Sequence, residues 1–342
     1  MPQDLTPPDP SVVLELLEAF RCSKVMFAAV SLGVFDRLDG GSQGAAALAG
    51  ELQADVGALT QLLDTCVGLG LITRHDGIYA NSPAASAYLC RSSPRRITGY
   101  INFSNEFLWP LWSKLEDAVR EGSHRWKQVY GWDGPIFSNF FRTEDSKREF
   151  LQAMHGQGVI SSPAVVSAFD LGRFRKLVDL GGATGHLAIA ACQRYPHLQA
   201  VVYDLAAAIP LAEETIVGTS AAPRISTQAG DFFTDPLPEA DLFALGRILH
   251  DWTESKILTL LRRIHDRLPV GGGILLAEKL LREDKTGPRW AQLQSLNMLV
   301  CTEGKERTLE EYEALLQQCG FSEVVGMRTN TPLDAVLAIK SA

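Results

Sequence analysis

The stretch from Leu177 to Asp204 constrains the fold of this 342-residue chain more than any other. It predicts a short apolar strand, a glycine turn at 181–185, a helix of small residues and a second strand that ends on Asp204. In nucleoside-binding βαβ units, an acid about 20 residues beyond the turn accepts the ribose hydroxyls. The stretch therefore predicts a parallel α/β sheet with a nucleoside site at Gly181 and Asp204.

The spacing of the glycines narrows the class of ligand. The loop has the form D-x-G-x-x-x-G, starting at Asp179. It departs from the G-x-G-x-x-G pattern that places a dinucleotide pyrophosphate on a helix N-terminus. An Asp at the head of the loop also suits a cationic ligand better than a pyrophosphate.

Strands and helices alternate from Phe174 onward, which predicts a doubly wound parallel sheet. The segments 321–325 and 335–339 predict an antiparallel hairpin at its edge. Polar residues or glycines stand at or just past the ends of the five parallel strands: Gly181, Asp204, Asp231, Arg247 with His250, and Glu278. Because ligands bind beyond the carboxyl ends of the strands in such sheets, this convergence predicts an active site.

His250 is the candidate general base. An imidazole with an ordinary pKa of about 6.5 can accept a hydroxyl proton at neutral pH. Asp251 adjoins it in sequence, and we expect Glu278 and Glu306 to orient the ring and stabilise its cation.

The remaining strand-end residues suit a nucleoside. Asp231 offers a carboxylate to an adenine amino group, and Phe232 offers a ring that packs on the base. Arg247 either faces the cleft or is a solvated side chain. His186, beside the glycine loop, is interpreted as a residue of the helix surface or the cleft rim.

The first 100 residues predict a winged-helix module. Helices are expected at 45–52 and 56–69, followed by strands at 71–74 and 78–80 around a D-G turn. DNA binding is disfavoured because the 56–69 helix contains no Lys or Arg to reach phosphates or base edges. The long helix from Ser11 is apolar on more than one face, so we expect dimerisation and packing to be the role of this module.

Residues 84–170 are predicted to be mainly helical and hold four of the six tryptophans: Trp109, Trp112, Trp126 and Trp132. Such aromatic density is explained equally well by core packing and by a small-molecule pocket.

Composition excludes several classes of function. A formal net charge of -8 argues against non-specific binding to nucleic acid or to an anionic membrane. The six cysteines are scattered without a C-x-x-C pair, which favours a reducing compartment, and no metal-ligand cluster is evident. No signal peptide and no apolar run of about 20 residues are recognised, so we expect a cytoplasmic protein.

Six segments spread over nearly the whole chain carry a family resemblance. They are VFD (34–36), DLGGATG (179–185), AGDFFTDPLPEADL (229–242), RILHDW (247–252), PVGGGILLAEKLL (269–281) and SLNMLVCTEGKERT (295–308). These segments resemble the class I S-adenosyl-L-methionine-dependent O-methyltransferases of the caffeic acid/hydroxyindole type, and within that type the acetylserotonin O-methyltransferase group and its animal "like" proteins.

The resemblance implies methyl transfer from S-adenosyl-L-methionine to a hydroxyl of a small phenolic or hydroxyindole acceptor, without a metal. It implies a homodimer joined through a winged-helix domain at 1–100, with the cofactor-binding methyltransferase domain at 101–342. The implied catalytic residues are His250, Glu278 and Glu306. The implied cofactor contacts are Gly181, Asp204, Asp231, Phe232, Arg247 and Phe141, and the implied substrate-pocket residues are Asn297 and Met298.

Four positions depart from the family pattern. Ala183 stands where the family usually has Gly, so a methyl group lies where the backbone would approach the cofactor. Phe141 stands where acetylserotonin methyltransferases carry Tyr, Gly158 is near the position of their Trp, and Leu333 replaces a pocket Tyr. The changes at Ala183, Phe141 and Leu333 motivate an alternative hypothesis: a cofactor-binding or scaffold protein whose pocket has drifted and which lacks efficient acetylserotonin activity.

Overall fold

The structure is a computed structural model that describes residues 8–134, 137 and 143–341. The chain forms two compact units, Met1–Asn105 and Glu106–Ala342. Phe141, a predicted cofactor contact, lies outside the described residues. None of the helices in the described part of the chain combines the length and apolar character that crossing a membrane requires.

The first unit consists of helices around a small antiparallel sheet. Its helices are α1 (Ser11–Leu32), α2 (Val34–Asp39), α3 (Ala45–Leu52), α4 (Val56–Gly68), α5 (Pro83–Tyr88) and α6 (Thr98–Phe103). Strands β1 (Gln43–Gly44), β2 (Ile72–His75) and β3 (Ile78–Asn81) pair in the order β1-β3-β2. The predicted D-G turn joins β2 to β3, and Asp76 and Gly77 both have the positive φ that such a tight hairpin requires.

Helix α1 leaves an apolar surface uncovered within its own unit. Its buried residues, Phe27, Ala29 and Val30, all lie in its C-terminal third. The N-terminal two-thirds expose a group of large hydrophobic side chains: Val12, Val13, Leu14, Leu16, Leu17 and Phe20. A surface of this kind marks an interaction site more often than a solvated helix face.

The second unit begins with short helices and continues as alternating strands and helices. A π-helical turn at Ser104–Leu108 leads into α7 (Trp109–Trp112), α8 (Leu115–Glu121), α9 (Trp126–Tyr130) and the long α10 (Glu144–Ser167). The later helices are α11 (His186–Arg194), α12 (Ile209–Val217), α13 (Glu254–Arg267), α14 (Arg289–Cys301) and α15 (Leu309–Gln318). Short 3₁₀ turns occur at Ala222–Arg224 and Leu249–Asp251.

A seven-stranded sheet organises this unit. Its strands are β4 (Lys176–Leu180), β5 (Gln199–Asp204), β6 (Ile225–Ala229), β7 (Leu242–Gly246), β8 (Gly273–Glu278), β9 (Phe321–Met327) and β10 (Asp334–Lys340). The spatial order is β6-β5-β4-β7-β8-β10-β9. The first five strands in that order are parallel, and β10 pairs antiparallel with both β8 and β9.

Two apolar layers cover the sheet. One contains buried residues of α13 and α15, such as Leu261 and Leu316, packed against β7 and β8. The other contains buried residues of α10, α11 and α12, such as Val166 and Leu187. Helices on both faces of a mainly parallel sheet confirm the predicted doubly wound α/β class, and the helical N-terminal unit confirms the expected second domain.

Candidate active site

The predicted site residues of strands β4 to β8 lie at one edge of the sheet. In the order β6-β5-β4-β7-β8, the strands end at Asp231, Asp204, the glycine loop, Arg247 with His250, and Glu278. The neighbours β4 and β7 continue in opposite directions along the sheet, through α11 on one face and α13 on the other, so a crevice is expected between their ends. The structure therefore brings most of the predicted strand-end residues to one edge of the sheet.

His250 is buried against two carboxylates. It lies on the 3₁₀ turn Leu249–Asp251 that follows β7. Its Nδ1 is 2.7 Å from Oε1 of Glu306 and 3.5 Å from Oε2 of Glu278. Its Nε2 is 3.6 Å from Oδ1 of Asp251. Because Nδ1 is held by Glu306, Nε2 is the nitrogen left to exchange a proton with a substrate.

Glu278 connects the turn that carries His250 to the sheet. It is the last residue of β8, and its Oε1 accepts hydrogen bonds from the backbone N–H groups of Ile248 and Leu249 at 3.1 Å and 2.8 Å. Its Oε2 is buried and has no hydrogen-bond partner among the described residues. One oxygen thus fixes the turn that carries His250, and the other remains for the imidazolium.

The three acids set the proton affinity of His250. Burial disfavours the imidazolium, but the charges of Glu306, Glu278 and Asp251 outweigh that effect and raise the pKa of His250 to about 10. Burial likewise raises the pKa of Glu278 to about 7 and that of Asp251 to about 6. The site therefore stabilises the imidazolium, and the neutral imidazole, which an ordinary pKa of about 6.5 would make the main form at pH 7, is instead the minor form.

Glu306 reaches His250 because its loop packs closely against the His250 turn. The N–H of Glu303 donates to the carbonyl of Asp251 at 3.1 Å, and Nη1 of the buried Arg307 is 3.4 Å from the carbonyl oxygen of Leu249. A Cβ on Gly304 would overlap the carbonyl oxygen of His250. Glycine at 304 is therefore required for this close approach of two backbone segments.

Asp204 ties the second strand to the glycine loop. Its Oδ2 accepts from the N–H of Ala183 at 2.8 Å, and its Oδ1 accepts from its neighbour Leu205 at 2.7 Å. A carboxylate oxygen can accept two hydrogen bonds, and each of these accepts one here, so both retain capacity for ribose hydroxyls. Burial raises the pKa of Asp204 to about 6, while the two backbone N–H groups oppose that shift.

Ala183 adopts a backbone conformation that favours glycine. Its φ is 50°, in the left-handed region that costs most residues about 1–2 kcal/mol. The sequence suggested that its methyl group would crowd the ligand. The structure shows a second, separate cost: the conformational free energy of holding Ala183 at a positive φ.

The variant Ala183→Gly is expected to raise the free energy of unfolding by about 0.5 kcal/mol. The relief of about 1–2 kcal/mol from the left-handed conformation exceeds the about 0.4–1 kcal/mol lost to the more flexible unfolded chain. Urea unfolding measures the difference. Ala190→Gly, in the ordinary helix α11, is the matched control and should destabilise instead. A less stable Ala183→Gly protein would contradict this account.

Phe232, predicted to pack on the base, lies beside the glycine loop. A Cβ on Gly181 would be 3.5 Å from Cε1 of Phe232. Phe232 and Phe233 contact each other edge to face at 4.8 Å, and Phe233 packs at 5.0 Å on Trp252. Asp231 stays at the strand end, where its Oδ1 accepts from the N–H of Phe233 at 2.8 Å.

Arg247 is held within the protein rather than solvated. Its φ is 57°, and its guanidinium donates to the side-chain oxygen of Gln157 on α10. The Nε of Arg247 is buried and has no hydrogen-bond partner among the described residues. A buried donor without a partner fits a site that takes a polar ligand. The sequence analysis did not predict Gln157 as the partner of Arg247, because no motif around Gln157 distinguishes it from other polar residues of its helix.

The two predicted substrate-pocket residues lie on α14. Asn297 and Met298 are both buried, and Oδ1 of Asn297 accepts from Nε1 of Trp112 at 2.8 Å. Trp126 instead is fully buried and donates to the carbonyl of Cys301 at 2.8 Å. Within the aromatic region, Trp126 is therefore part of the core, and Trp112 holds Asn297, a residue predicted for the substrate pocket. Leu333 is buried in the core layer that also contains Ala335.

Comparison with protein families gives two matches. Residues 112–322 match the O-methyltransferase domain, and residues 14–91 match the O-methyltransferase dimerisation domain. Bovine acetylserotonin O-methyltransferase is 40% identical over 96% of this chain and 97% of its own length. A human probable bifunctional dTTP/UTP pyrophosphatase/methyltransferase protein is 39% identical over 99% of this chain, which spans only 55% of that longer relative.

Solved structures agree with these matches. Human N-acetylserotonin methyltransferase in complex with SAM superposes with a TM-score of 0.94 at 37% identity, covering 99% of both chains. PigF with SAH superposes with a TM-score of 0.88 at 29% identity, covering 97% of this chain and 100% of PigF.

Proposed function

Because the chain belongs to the O-methyltransferase family, we propose that it transfers a methyl group from S-adenosyl-L-methionine to a hydroxyl of a small aromatic acceptor, with His250 as the general base. The observation that carries this proposal is the buried contact of 2.7 Å between Nδ1 of His250 and Oε1 of Glu306. A paired, buried imidazole just past a strand end is suited to remove a hydroxyl proton.

The strand-end residues fit the cofactor. Asp204 keeps oxygen lone pairs for ribose hydroxyls, Phe232 offers a ring beside the glycine loop, and the buried Nε of Arg247 has no hydrogen-bond partner in the part of the chain that the structure describes. When bound, S-adenosyl-L-methionine supplies an electrophilic methyl group on a sulfonium. Phe141 belongs to this proposed set through the family resemblance alone.

The residues of the chain supply the base and its orientation. In the neutral form of His250, Glu306 accepts the Nδ1 proton, so Nε2 can take the proton of the acceptor hydroxyl when that oxygen displaces the sulfonium sulfur at the methyl carbon. Glu278 and Asp251 stabilise the imidazolium that results. Asn297 and Met298 are the proposed contacts of the acceptor.

A direct test is incubation of the purified chain with methyl-labelled S-adenosyl-L-methionine and a panel of phenols and hydroxyindoles. Label is expected in the O-methylated product of at least one acceptor and to be lost when the acceptor hydroxyl is replaced by hydrogen. A chain that binds no S-adenosyl-L-homocysteine in calorimetry, or that labels no acceptor, would sink the proposal.

Glu306→Gln is expected to move the pH dependence of kcat/KM to lower pH. The base form of His250 accumulates as pH rises through its pKa, so the rate rises with pH and levels off above it. The charge of Glu306 raises that pKa. Its removal lowers the pKa, and the rising limb moves to the acid side.

The matched control is Glu303→Gln in the same loop, because the Glu303 side chain pairs with Lys256 and not with His250. The measurement is kcat/KM from pH 6 to 11 for the three proteins, a range that includes the wild-type pKa of about 10. A limb that stays in place in Glu306→Gln, or moves equally in Glu303→Gln, would contradict the assignment.

The alternative of a drifted scaffold is not favoured. Its motive was the set of departures at Ala183, Phe141 and Leu333. Against it, His250, Glu278 and Glu306 remain together and buried. Burying these ionisable groups costs desolvation free energy, and a protein without catalytic function would gain nothing from that cost.

The remaining assignments concern assembly and context. We propose a homodimer joined through the exposed apolar surface of α1, which the match to a dimerisation domain supports. We also propose a winged-helix domain at 1–100 and a methyltransferase domain at 101–342. We further propose that the protein uses no metal, binds no nucleic acid and is cytoplasmic.

A further inference from the structure

The imidazole of His186 occupies the space beside Gly158. A Cβ on Gly158 would overlap three atoms of the His186 ring. Gly158 lies inside helix α10, where glycine is unfavourable, and His186 is the first residue of α11, directly after the glycine loop. The absence of a side chain at Gly158 therefore leaves the space that the His186 ring fills.

The ring of His186 is oriented by a hydrogen bond and held neutral. Its Nδ1 is 2.9 Å from Oγ of Ser162, one helical turn beyond Gly158. Burial, with smaller contributions from His155 and Arg247, lowers the pKa of His186 to about 3. If Ser162 donates to Nδ1, the ring proton is on Nε2, and His186 is a neutral hydrogen-bond donor.

The position of His186 along the sheet distinguishes the two ends of the cofactor. Asp231 and Asp204, which suit the nucleoside, follow β6 and β5. Next to β5 in the sheet, β4 leads into the glycine loop and His186, and beyond it β7 leads into Arg247 with its partner Gln157. A ligand that places its adenosine over β5 and β6 extends its other end toward β4 and β7.

We propose that His186 is a cofactor-binding residue that recognises the amino-acid end of S-adenosyl-L-methionine through its Nε2 proton. The carboxylate at that end is an acceptor, and a donor beside the Arg247 guanidinium complements it. This inference rests on the proposed function and assigns the part of the cofactor that the strand-end acids do not reach.

The test compares two ligands by isothermal titration calorimetry. S-adenosyl-L-homocysteine carries the amino-acid end, whereas 5′-methylthioadenosine keeps the adenosine and the sulfur but lacks that end. His186→Ala is expected to weaken binding of the first about tenfold and of the second less than twofold, since a hydrogen bond to a charged group is lost only with the first. An equal loss for both ligands, or no loss for either, would overturn the proposal.

The variant Gly158→Ala tests the same proposal in a second way, because it displaces the His186 ring without replacing His186. The added methyl group displaces the ring, so this variant is also expected to bind S-adenosyl-L-homocysteine about tenfold more weakly. In the His186→Ala background the same substitution meets no ring and should change the dissociation constant less than twofold. Equal effects of Gly158→Ala in both backgrounds would contradict the role of the ring.

The outcomes separate this inference from the function on which it rests. A wild-type chain that binds neither ligand sinks the proposed function as a whole. Wild-type binding with unchanged affinity in His186→Ala sinks only the assignment of His186. Thermal unfolding of each variant without ligand checks folding, and Gly158→Ala/His186→Ala should unfold at a higher temperature than His186→Ala, because alanine favours the helix.

Discussion

Methyl transfer by the His250→Ala variant is expected to be about 10²–10⁴-fold slower than that of the wild type, the range that a positioned general base contributes. Alanine leaves no group to take the hydroxyl proton, while Asp204 and Phe232 remain in place for the cofactor. The measurement is kcat with saturating cofactor, together with the dissociation constant of S-adenosyl-L-homocysteine, which should stay within about threefold of the wild-type value.

His75→Ala is the matched control, because His75 lies on β2 at the surface of the other unit. It should keep the wild-type rate. A His250→Ala protein that retains more than about a tenth of the wild-type kcat would exclude His250 as the base. A variant that loses cofactor binding along with the rate would point instead to collapse of the site.

The second large effect is expected from Gly304→Ala. The new Cβ would overlap the carbonyl oxygen of His250 and lie 2.8 Å from the carbonyl carbon of Asp251, so two backbone segments have to separate. Overpacking of this kind costs about 1–3 kcal/mol of folding free energy. Because it also displaces the imidazole from its productive position, kcat should fall about 10²-fold.

Urea unfolding and kcat measure the two effects of Gly304→Ala. Gly218→Ala is the control, since Gly218 has an ordinary φ of -77° and its nearest neighbour to a Cβ is 4.0 Å away. The control should change neither quantity appreciably. Wild-type activity in Gly304→Ala would show that the loop does not fix the position of His250.

The edge of the sheet was predictable because it follows from local patterns. Apolar runs mark the strands, and parallel strands bring the residues after them, such as Asp204 and Glu278, to one edge. Contacts between distant segments have no such pattern. Glu306 is 56 positions from His250, and Trp112 is 185 positions from Asn297. Glu306 was expected beside His250, as the family resemblance also implies, but nothing in the sequence predicted the contact between Trp112 and Asn297.

His186 and Gly158 show a second limit of sequence reasoning. His186 was interpreted as a surface or rim residue because its local context is a helix start. Its ring enters the protein because a glycine on a different helix leaves the space. Each residue is ordinary in its own segment, and only packing of α10 on α11 couples them.

The seven-stranded sheet is complete only when β10 has paired with β8 and β9. This strand is the last along the described chain, yet it lies between β8 and β9 and pairs with both. Before β10 is in place, β8 presents an unpaired edge of residues that are all buried in the folded chain, a surface that invites association with other strands. During synthesis, the strand that carries Glu278 is therefore exposed until residues 334–340 have left the ribosome, and that interval is when the chain most needs protection from aggregation.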